Sequence, residues 1–377
     1  MAAWREELRD LAGALGRRVR HAADRIERRI DSDPYCIVGY RGYGAADRAL
    51  VLGRVLEDEG HLPPDPSQSA LRNLIDAIKR LESDPLPSAR VRVTIGAAGY
   101  ETEADDEGFL RAWVPAARPL PSGWHRADLA LAAGAAVAAR PGVAQVLVPS
   151  PDARFGVISD MDDTVLQSDV TRLVRAARLM LLENARTRLP FPGVAAFYRA
   201  LGDGVGSRSA NPIFYVSKSP WNLYEVIADF LALQQLPAGP LLLRDWDLGL
   251  PRRQKQEHKA VAIGEILATY PTLPFILIGD SGQEDPEIYR ALLQHHPGRI
   301  PAIYIRNVTR GPERAEAIRK LAAEVAVSGC SLVLGDDTLT VARHAAEHGW
   351  IDPGRLDDIA GDKRADEGAT KEKVLVT

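Results

Sequence analysis

The stretch that decides the fold is "FGVISDMDDTVL", residues 155–166, in which an apolar run leads straight into a group of acidic residues. "FGVIS" has the length and composition of a buried β-strand. Asp160, Asp162 and Asp163 then follow within four positions. Carboxylates this close repel one another, so a buried strand that ends in them indicates a site for a divalent cation.

Five further apolar runs follow this one, and a helical stretch separates each from the next. The runs are "IFYVS", "LLLR", "FILIG", "AIYIR" and "SLVLG". Strands that alternate with helices in this way predict an α/β domain, with a parallel sheet flanked by helices, over residues 151–350. Ligands of such domains bind at the carboxyl ends of the strands.

The sequence before this domain has a different pattern of apolar residues. Residues 34–150 contain short apolar runs separated by Gly and Pro, which predicts a small β-sandwich-like accessory domain. Within it, "YETEADDEGFLRAWVP" predicts a hairpin with its turn at residues 105–108. At the other end of the chain, residues 351–377 are polar and are expected to form a mobile tail.

Residues 1–33 are expected to form an amphipathic helix, because apolar residues recur there at steps of three and four. Two interpretations stay open. The helix packs on the body of the protein or on another subunit, or residues 1–31 lie on a membrane surface with Trp4 as an anchor.

Composition sets wider limits. The 377 residues are 46% hydrophobic and 26% charged, as in ordinary soluble globular proteins. The formal net charge of −4 provides no basic field, so we expect no nucleic-acid partner. No apolar run of about 18 residues occurs, and a cytoplasmic location is the expectation.

The residues at the predicted strand ends form a set suited to phosphoryl transfer, together with Lys259 near the start of the helix that leads into "FILIG". Asp160 and Asp280 offer the hard oxygen ligands that Mg²⁺ prefers. Asp160 can attack phosphorus, and Asp162 can protonate the leaving alkoxide and then deprotonate water. Ser217 and Lys259 can bind the phosphate oxygens, whose charge must be neutralised in the transition state.

Three neighbouring residues are expected to support this set. Asp285 and Ser281 are predicted to hold Lys259 or a metal-bound water. Asp163 either adjusts the metal site or caps the following helix.

The motifs continue beyond these residues. "DMDDTV", "YVSKSPWNLYEV", "LLLRDW", "HKAVAIGEIL", "YPTLPFILIGDSGQEDPEIY" and "AIYIRNVT" together resemble the actin-patch phosphatidate phosphatase family and its bacterial relatives, within the haloacid-dehalogenase-like superfamily. The resemblance covers about residues 150–345. "YRGYG" and "TEADDEGFLRAWVP" also resemble the β-rich N-terminal region of the bacterial members.

The resemblance implies a Rossmann-like phosphatase domain with Mg²⁺ as cofactor, Asp160 as nucleophile and Asp162 as acid and base. It also implies phosphatidate or a related lipid phosphate as substrate. The predicted site is completed by Thr164, which would contact the phosphate, and by the backbone carbonyl of Asp162, which would join Asp160 and Asp280 on the metal.

Three hypotheses about function follow. The first is a Mg²⁺-dependent phosphomonoesterase that acts on a lipid phosphate. The second keeps this chemistry but assigns it to a soluble metabolite or a phosphoprotein. The third is a non-catalytic module that binds a membrane or another protein. The apolar residues 179–182, in the insertion after the first motif, are either core or a surface for an acyl chain.

Overall fold

The structure is a computed structural model. It describes residues 34–58, 83–133, 135, 137–161, 192–206, 210–244, 252–308 and 311–374. The predicted N-terminal helix at 1–33, the insertion at 167–191, Asp162, Asp163 and Thr164 all lie outside the described residues.

The first half of the described chain is made of β-strands separated by turns. The strands are β1 (Tyr35–Gly39), β2 (Arg41–Tyr43), β3 (Arg48–Glu57), β4 (Arg90–Ile95), β5 (Ala98–Glu103), β6 (Phe109–Pro115), β7 (Gly123–Leu131), β8 (Ala139–Arg140) and β9 (Gly142–Val148). They form a four-stranded sheet in the order β6-β3-β1-β8 and a five-stranded sheet in the order β2-β9-β7-β4-β5. We call these strands the β-rich unit.

The two sheets share one hydrophobic core. Val51 and Val114 of the four-stranded sheet and Val93, Leu129 and Val146 of the five-stranded sheet are all inaccessible to solvent. β4 alternates between buried and exposed positions because side chains on a strand point to opposite faces in turn, whereas β3 is buried at eight of its ten positions.

The predicted hairpin over residues 100–115 is wrong. β5 pairs with β4 and β6 pairs with β3, so the two strands belong to different sheets. The turn itself forms where the sequence indicates, because Asp105 Oδ1 accepts hydrogen bonds from the amides of Glu107 and Phe109. A turn signal fixes where the chain reverses, whereas the partner of a strand depends on which face must be buried.

The second half alternates strands and helices. The elements are β10 (Gly156–Asp160), α1 (Val194–Asp203), β11 (Ile213–Pro220), a 3₁₀ turn (Trp221–Leu223), α2 (Tyr224–Leu233), β12 (Leu241–Arg244), α3 (Arg252–Thr269), β13 (Phe275–Asp280), α4 (Asp285–His295), β14 (Ala302–Arg306), α5 (Pro312–Ala326), β15 (Ser331–Gly335), α6 (Thr338–Glu347) and α7 (Arg355–Val374). We call them the α/β unit.

The six strands of the α/β unit form one parallel sheet, as the sequence predicts, in the order β12-β11-β10-β13-β14-β15. β10 and β13 are buried along their whole length because helices cover both faces of a parallel sheet. The chain moves outward in one direction through β11 and β12 and in the other through β13, β14 and β15. The direction therefore reverses between β10 and β13, which is where open α/β sheets bind ligands.

The expected polar tail is largely helical. Residues Arg355–Val374 form α7, which packs on α1. Asp362 and Asp366 accept hydrogen bonds from the amides of Ala196 and Gly193, and Ile359 is fully buried. The contacts of α7 with the body are mostly polar, so the sequence of this helix lacks the apolar pattern from which a packed helix is predicted.

The β-rich unit packs directly against the α/β unit through aromatic side chains. Tyr40 stacks on Tyr224 with ring centroids 3.9 Å apart, and Tyr43 meets the edge of Phe214 at 5.5 Å. The buried residues on both sides belong to one continuous hydrophobic cluster.

None of the described helices combines the length and the apolar character that a membrane crossing requires.

Candidate functional site

Two aspartates stand at the carboxyl ends of the strands that flank the reversal point. Asp160 is the last residue of β10, and Asp280 is the last residue of β13. The apolar residues before each of them pair in register with the neighbouring strand and hold both carboxylates inside the protein. Asp160 is 1% exposed and Asp280 is inaccessible.

A third carboxylate completes an acidic cluster. Asp285, the first residue of α4, is buried beside Asp160 and Asp280, and one carboxylate oxygen from each lies within 4.8 Å of the others. At an effective dielectric constant of about 20, two charges at that separation repel by about 3 kcal/mol. The cluster therefore needs cations to stay ionised.

Lys259 supplies one such cation. Its Nζ lies 2.7 Å from Asp160 Oδ1 and 2.5 Å from Asp285 Oδ1, and the side chain is 1% exposed. Burial opposes the charge of Asp160, but Lys259 outweighs this effect and holds the pKa of Asp160 below its ordinary value. Burial and the neighbouring charge of Asp160 raise the pKa of Asp285 well above its ordinary value. The charge of Lys259 thus favours the ionised form of Asp160.

The loop between β13 and α4 fixes the other two carboxylates. Asp280 Oδ1 accepts hydrogen bonds from the amides of Gly282 at 2.7 Å and Gln283 at 3.1 Å. Asp285 Oδ2 accepts one from the amide of Asp280 at 3.1 Å. A Cβ atom at Gly279 would lie 2.4 Å from Asp285 Oδ2, so only glycine leaves room for this carboxylate.

Ser217 lies near Asp160, one strand away. Val216 pairs in register with Asp160, and Ser217 follows it as a fully buried residue. Its Oγ accepts a hydrogen bond from the amide of Ser219 at 3.0 Å. The next residue, Lys218, donates a hydrogen bond to Gln283 and so links the end of β11 to the loop after β13.

Ser281 ties that loop to the end of β14. Its Oγ accepts a hydrogen bond from the amide of Val308 at 2.9 Å, and its own amide donates to the carbonyl of Arg306 at 2.9 Å. These contacts place Ser281 as a brace for the loop that carries Asp280.

Two arginines near the site escaped the sequence analysis. Arg306 ends β14 opposite Asp280 in register, is 5% exposed and lowers the pKa of Asp160 by its charge. The strand "AIYIR" ends in this residue, so the strand-end rule that singled out Asp280 would also have found it. With every group ionised, the site holds three negative charges against the positive charges of Lys259 and Arg306.

Arg314, on α5, had no comparable signal. It donates to the carbonyls of Ser281 at 3.0 Å and Gln283 at 2.6 Å, and both of its Nη atoms bind Glu287. The guanidinium therefore clamps the loop that carries Asp280 from the far side. No local pattern links position 314 to that loop, because only the packing of α5 brings them together.

The donor set fits a hard divalent cation. Three buried carboxylates offer oxygen ligands only, which suits Mg²⁺ or a similar ion. Within the described part of the chain, Asp160 Oδ2 is buried without a hydrogen-bond donor, and a metal ion would satisfy it.

A cleft of about 1100 Å³ lies elsewhere, lined by Trp124, Asp203 and Ile213 among others. Ile213 begins β11, so this cleft opens at the amino ends of the strands, opposite the acidic cluster. Its size does not make it the reaction site, because the buried charges are at the other edge.

Comparisons with known proteins identify the part of the chain that carries this cluster. The family model described as "Phosphatidate phosphatase APP1, catalytic domain" matches residues 155–307. The phosphatidate phosphatase APP1 of Saccharomyces cerevisiae is 31% identical over 156 residues, which cover 40% of this chain and 26% of that protein. An uncharacterized protein of Schizosaccharomyces pombe is 28% identical over 161 residues, 41% of this chain and 25% of that protein.

The chain thus spans about a quarter of the length of these two fungal relatives. Among solved structures, a carbohydrate acetylesterase from Xanthomonas citri aligns with 76% of this chain and 72% of its own. The identity is 13% and the TM-score 0.24, which is too low to support any argument about fold or function.

Proposed function

We propose that this chain is a Mg²⁺-dependent phosphatase that hydrolyses a lipid phosphate such as phosphatidate, because residues 155–307 match the family model of the phosphatidate phosphatase APP1 catalytic domain. The observation that carries the proposal is the buried set of Asp160, Asp280, Asp285 and Lys259 at the reversal point of the sheet.

In the first step, an Asp160 carboxylate oxygen attacks phosphorus and forms an aspartyl phosphate, while the bond between phosphorus and the lipid oxygen breaks. Asp162 gives its proton to that oxygen, so diacylglycerol leaves as a neutral alcohol. The low pKa of Asp160 suits this role because the attacking group must be ionised.

In the second step, Asp162 removes a proton from water, and the water oxygen forms a bond to phosphorus. The bond between phosphorus and Asp160 breaks, which releases inorganic phosphate and restores the carboxylate. Ser217, Lys259 and Thr164 bind the phosphate oxygens in both steps. The position of Asp162 and Thr164 in this scheme rests on the sequence motif.

Asp160, Asp280 and the backbone carbonyl of Asp162 would hold Mg²⁺. When bound, the ion neutralises charge on the cluster and on the transferring phosphoryl group. Asp285 keeps Lys259 aimed at Asp160, as the 2.5 Å and 2.7 Å contacts of its Nζ indicate.

The proposal also covers the β-rich unit and the N-terminal segment. We infer that the two sheets of the β-rich unit act as a small sandwich-like accessory domain. The predicted amphipathic helix of residues 1–31 supports peripheral contact with the cytoplasmic face of a membrane, where lipid phosphates are found. Liposome flotation of the full chain and of a chain without residues 1–31 tests this contact, and equal flotation would contradict it.

The experiment that tests the function is a phosphate-release screen with Mg²⁺. Phosphatidate and lysophosphatidate micelles are compared with soluble phosphomonoesters and a phosphopeptide, with a chelator as control. We expect release from phosphatidate that stops on chelation. A preference for soluble esters or for the phosphopeptide would reject the lipid substrate, and no release from any of them would reject the phosphatase.

A further inference from the structure

Arg306 stands beside Asp280, one of the proposed metal ligands. It is the last residue of β14, is 5% exposed and pairs in register with Asp280 on the neighbouring strand. Residues paired in this way project from the same face of a sheet, and adjacent strands lie about 4.8 Å apart. The carbonyl of Arg306 also accepts a hydrogen bond from the Ser281 amide at 2.9 Å, which ties the two strand ends together.

The face from which Arg306 projects is the one that α1 covers. Ser159 pairs with Ile278, and Asp280 follows Ile278 by two positions on β13. Because side chains alternate along a strand, Ser159, Asp280 and Arg306 share one face. On that face Tyr198 of α1 shares a hydrogen bond of 2.6 Å with Ser159 Oγ. Arg306 therefore approaches the acidic cluster from the α1 side of the sheet.

Lys259 approaches the cluster from the other side. It belongs to α3 and contacts Asp160 at 2.7 Å and Asp285 at 2.5 Å. Asp160 follows Ser159 directly and so projects from the opposite face. The site thus has two cations with different positions, Lys259 against Asp160 and Asp285 and Arg306 beside Asp280.

The charge of Arg306 reaches the end of β10, although β13 lies between the two strands. Burial opposes the ionisation of Asp160, and Lys259 and then Arg306 lower its pKa. Burial raises the pKa of Tyr198, and the charge of Arg306 opposes that rise. Because a guanidinium does not deprotonate in proteins, this positive charge is permanent.

We propose that Arg306 is a specificity-determining residue whose fixed charge weakens metal binding in order to favour a phosphate dianion. The inference rests on the proposed function and extends it to the charge of the ligand that the site selects. A positive charge beside Asp280 repels a divalent cation held by that carboxylate. The same charge attracts a phosphate monoester, which carries about two negative charges near pH 7.

The test measures the two affinities separately, by isothermal titration of the full chain. Arg306→Gln should bind Mg²⁺ about tenfold more tightly than the wild-type chain, and the Mg²⁺-saturated variant should bind inorganic phosphate about tenfold more weakly. Arg306→Lys retains the charge and should keep both affinities within about threefold of wild type. A merely structural role predicts that Arg306→Gln weakens both ligands. That result, or an unchanged affinity for either ligand, would overturn the inference.

Arg299→Gln is the matched control. Arg299 donates hydrogen bonds to three backbone carbonyls, those of Leu267, Tyr270 and Leu273. Its own carbonyl accepts a hydrogen bond from the first amide of β13, so it lies at the edge of the sheet opposite the cluster. Removing it should change neither affinity. The same two shifts in Arg299→Gln as in Arg306→Gln would overturn a specific role for the charge beside Asp280.

If Arg306→Gln does not fold, Val308→Lys supplies the reverse change. Val308 is 37% exposed and lies two residues beyond Arg306, and its amide rather than its side chain binds Ser281 Oγ. The added charge should weaken Mg²⁺ binding and strengthen phosphate binding by about twofold each at low salt, less than at Arg306 because solvent screens it. Unchanged affinities there would also overturn the inference.

Failure of this inference and failure of the proposed function give different results. A wild-type chain that binds Mg²⁺ and phosphate but releases no phosphate from phosphatidate rejects the proposed reaction, whereas opposite shifts in Arg306→Gln still support the role of its charge. Wild-type turnover with no opposite shifts rejects the inference alone. A wild-type chain that binds neither ligand rejects both.

Discussion

Two strand ends of the same parallel sheet carry nearly the same letters, "SDMDDT" after β10 and "GDDT" after β15. In each, an aspartate pairs with a lysine from a helix: Asp160 with Lys259, and Asp337 with Lys363. The side chains of the first pair are at most 1% exposed to solvent. In the second pair, Asp337 is 37% exposed and Lys363 is 19% exposed.

The surroundings of the two pairs explain the difference. β10 is central and ends at the reversal point beside Asp280, so Asp160 joins a cluster of carboxylates. β15 is an edge strand, and Asp337 caps the amino end of α6 by accepting a hydrogen bond from the Thr340 amide. Of these two acidic strand ends, the one at β10 lies beside another acidic strand end, that of β13, and joins a buried cluster of carboxylates.

The largest expected effect separates the two aspartates by activity. Asp160→Asn should reduce phosphate release by about 10³-fold or more, since it removes the nucleophile of the proposed reaction. Asp337→Asn should keep activity within about twofold, because it changes only a helix cap and a partly exposed ion pair away from the acidic cluster. Steady-state assays with Mg²⁺ and phosphatidate measure both, and a comparable loss in the two variants would contradict the distinction.

The two lysines should differ next in stability. Lys259→Met leaves buried carboxylates without their ammonium partner, which costs about 3–5 kcal/mol of unfolding free energy. Lys363→Met breaks a half-exposed pair and should cost less than about 1 kcal/mol. Urea unfolding without Mg²⁺ gives both values. Adding Asp285→Asn to Lys259→Met should recover part of the loss, and a further loss would argue against repulsion within the cluster.

Metal binding provides a third test of the difference between the acidic cluster and the acidic end of β15. Asp280→Asn removes one anionic ligand from the cluster and should weaken Mg²⁺ binding about 100-fold. Isothermal titration of the metal-free protein with Mg²⁺ measures this without any substrate. Asp336→Asn, at the end of β15, is the matched control and should bind Mg²⁺ as the wild-type chain does. Wild-type affinity in Asp280→Asn would remove Asp280 from the metal site.

Arg314 offers a smaller effect on the same loop. Arg314→Gln loses the hydrogen bonds to the carbonyls of Ser281 and Gln283, so Asp280 is held less firmly and Mg²⁺ affinity should fall about tenfold. Arg319→Gln, on the same helix but paired only at the surface with Glu316, is the control. Equal titrations for the two variants would mean that the clamp does not position the loop.

The smallest effect concerns pH. Burial opposes the charge of Asp337, yet Lys363 and Thr340 hold its pKa at about 2, below its ordinary value. Because the pKa of Asp337 is lower in the folded state, its ionised form stabilises the fold. This contribution to the unfolding free energy is complete above about pH 4 and is lost as the pH falls toward 2. The unfolding free energies of wild type and Asp337→Asn should therefore converge between pH 5 and pH 2. A constant difference would assign the effect to something other than this charge.

Much of the α/β unit could be read from the sequence, because each buried strand is a continuous apolar run and Asp160, Ser217 and Asp280 follow such runs. Lys259 lies on α3 instead. The strand that pairs with β6 could not be predicted, since an alternating strand can join either sheet of the β-rich unit. The role of Arg314 could not be predicted either, because only the packing of α5 brings it to its loop. The docking of α7 was also not predictable. Its contacts are made by aspartates such as Asp362, which in a polar sequence look like solvent-exposed charges.

The central claim is that Asp160 takes the phosphoryl group, and trapping it is the most direct test. The protein is mixed with ³²P-labelled phosphatidate and Mg²⁺, quenched in acid within a turnover and digested. The account predicts a hydroxylamine-sensitive label on the peptide that contains Asp160, and its loss in Asp160→Asn. Label on another peptide, or undiminished turnover in Asp160→Asn, would contradict the account.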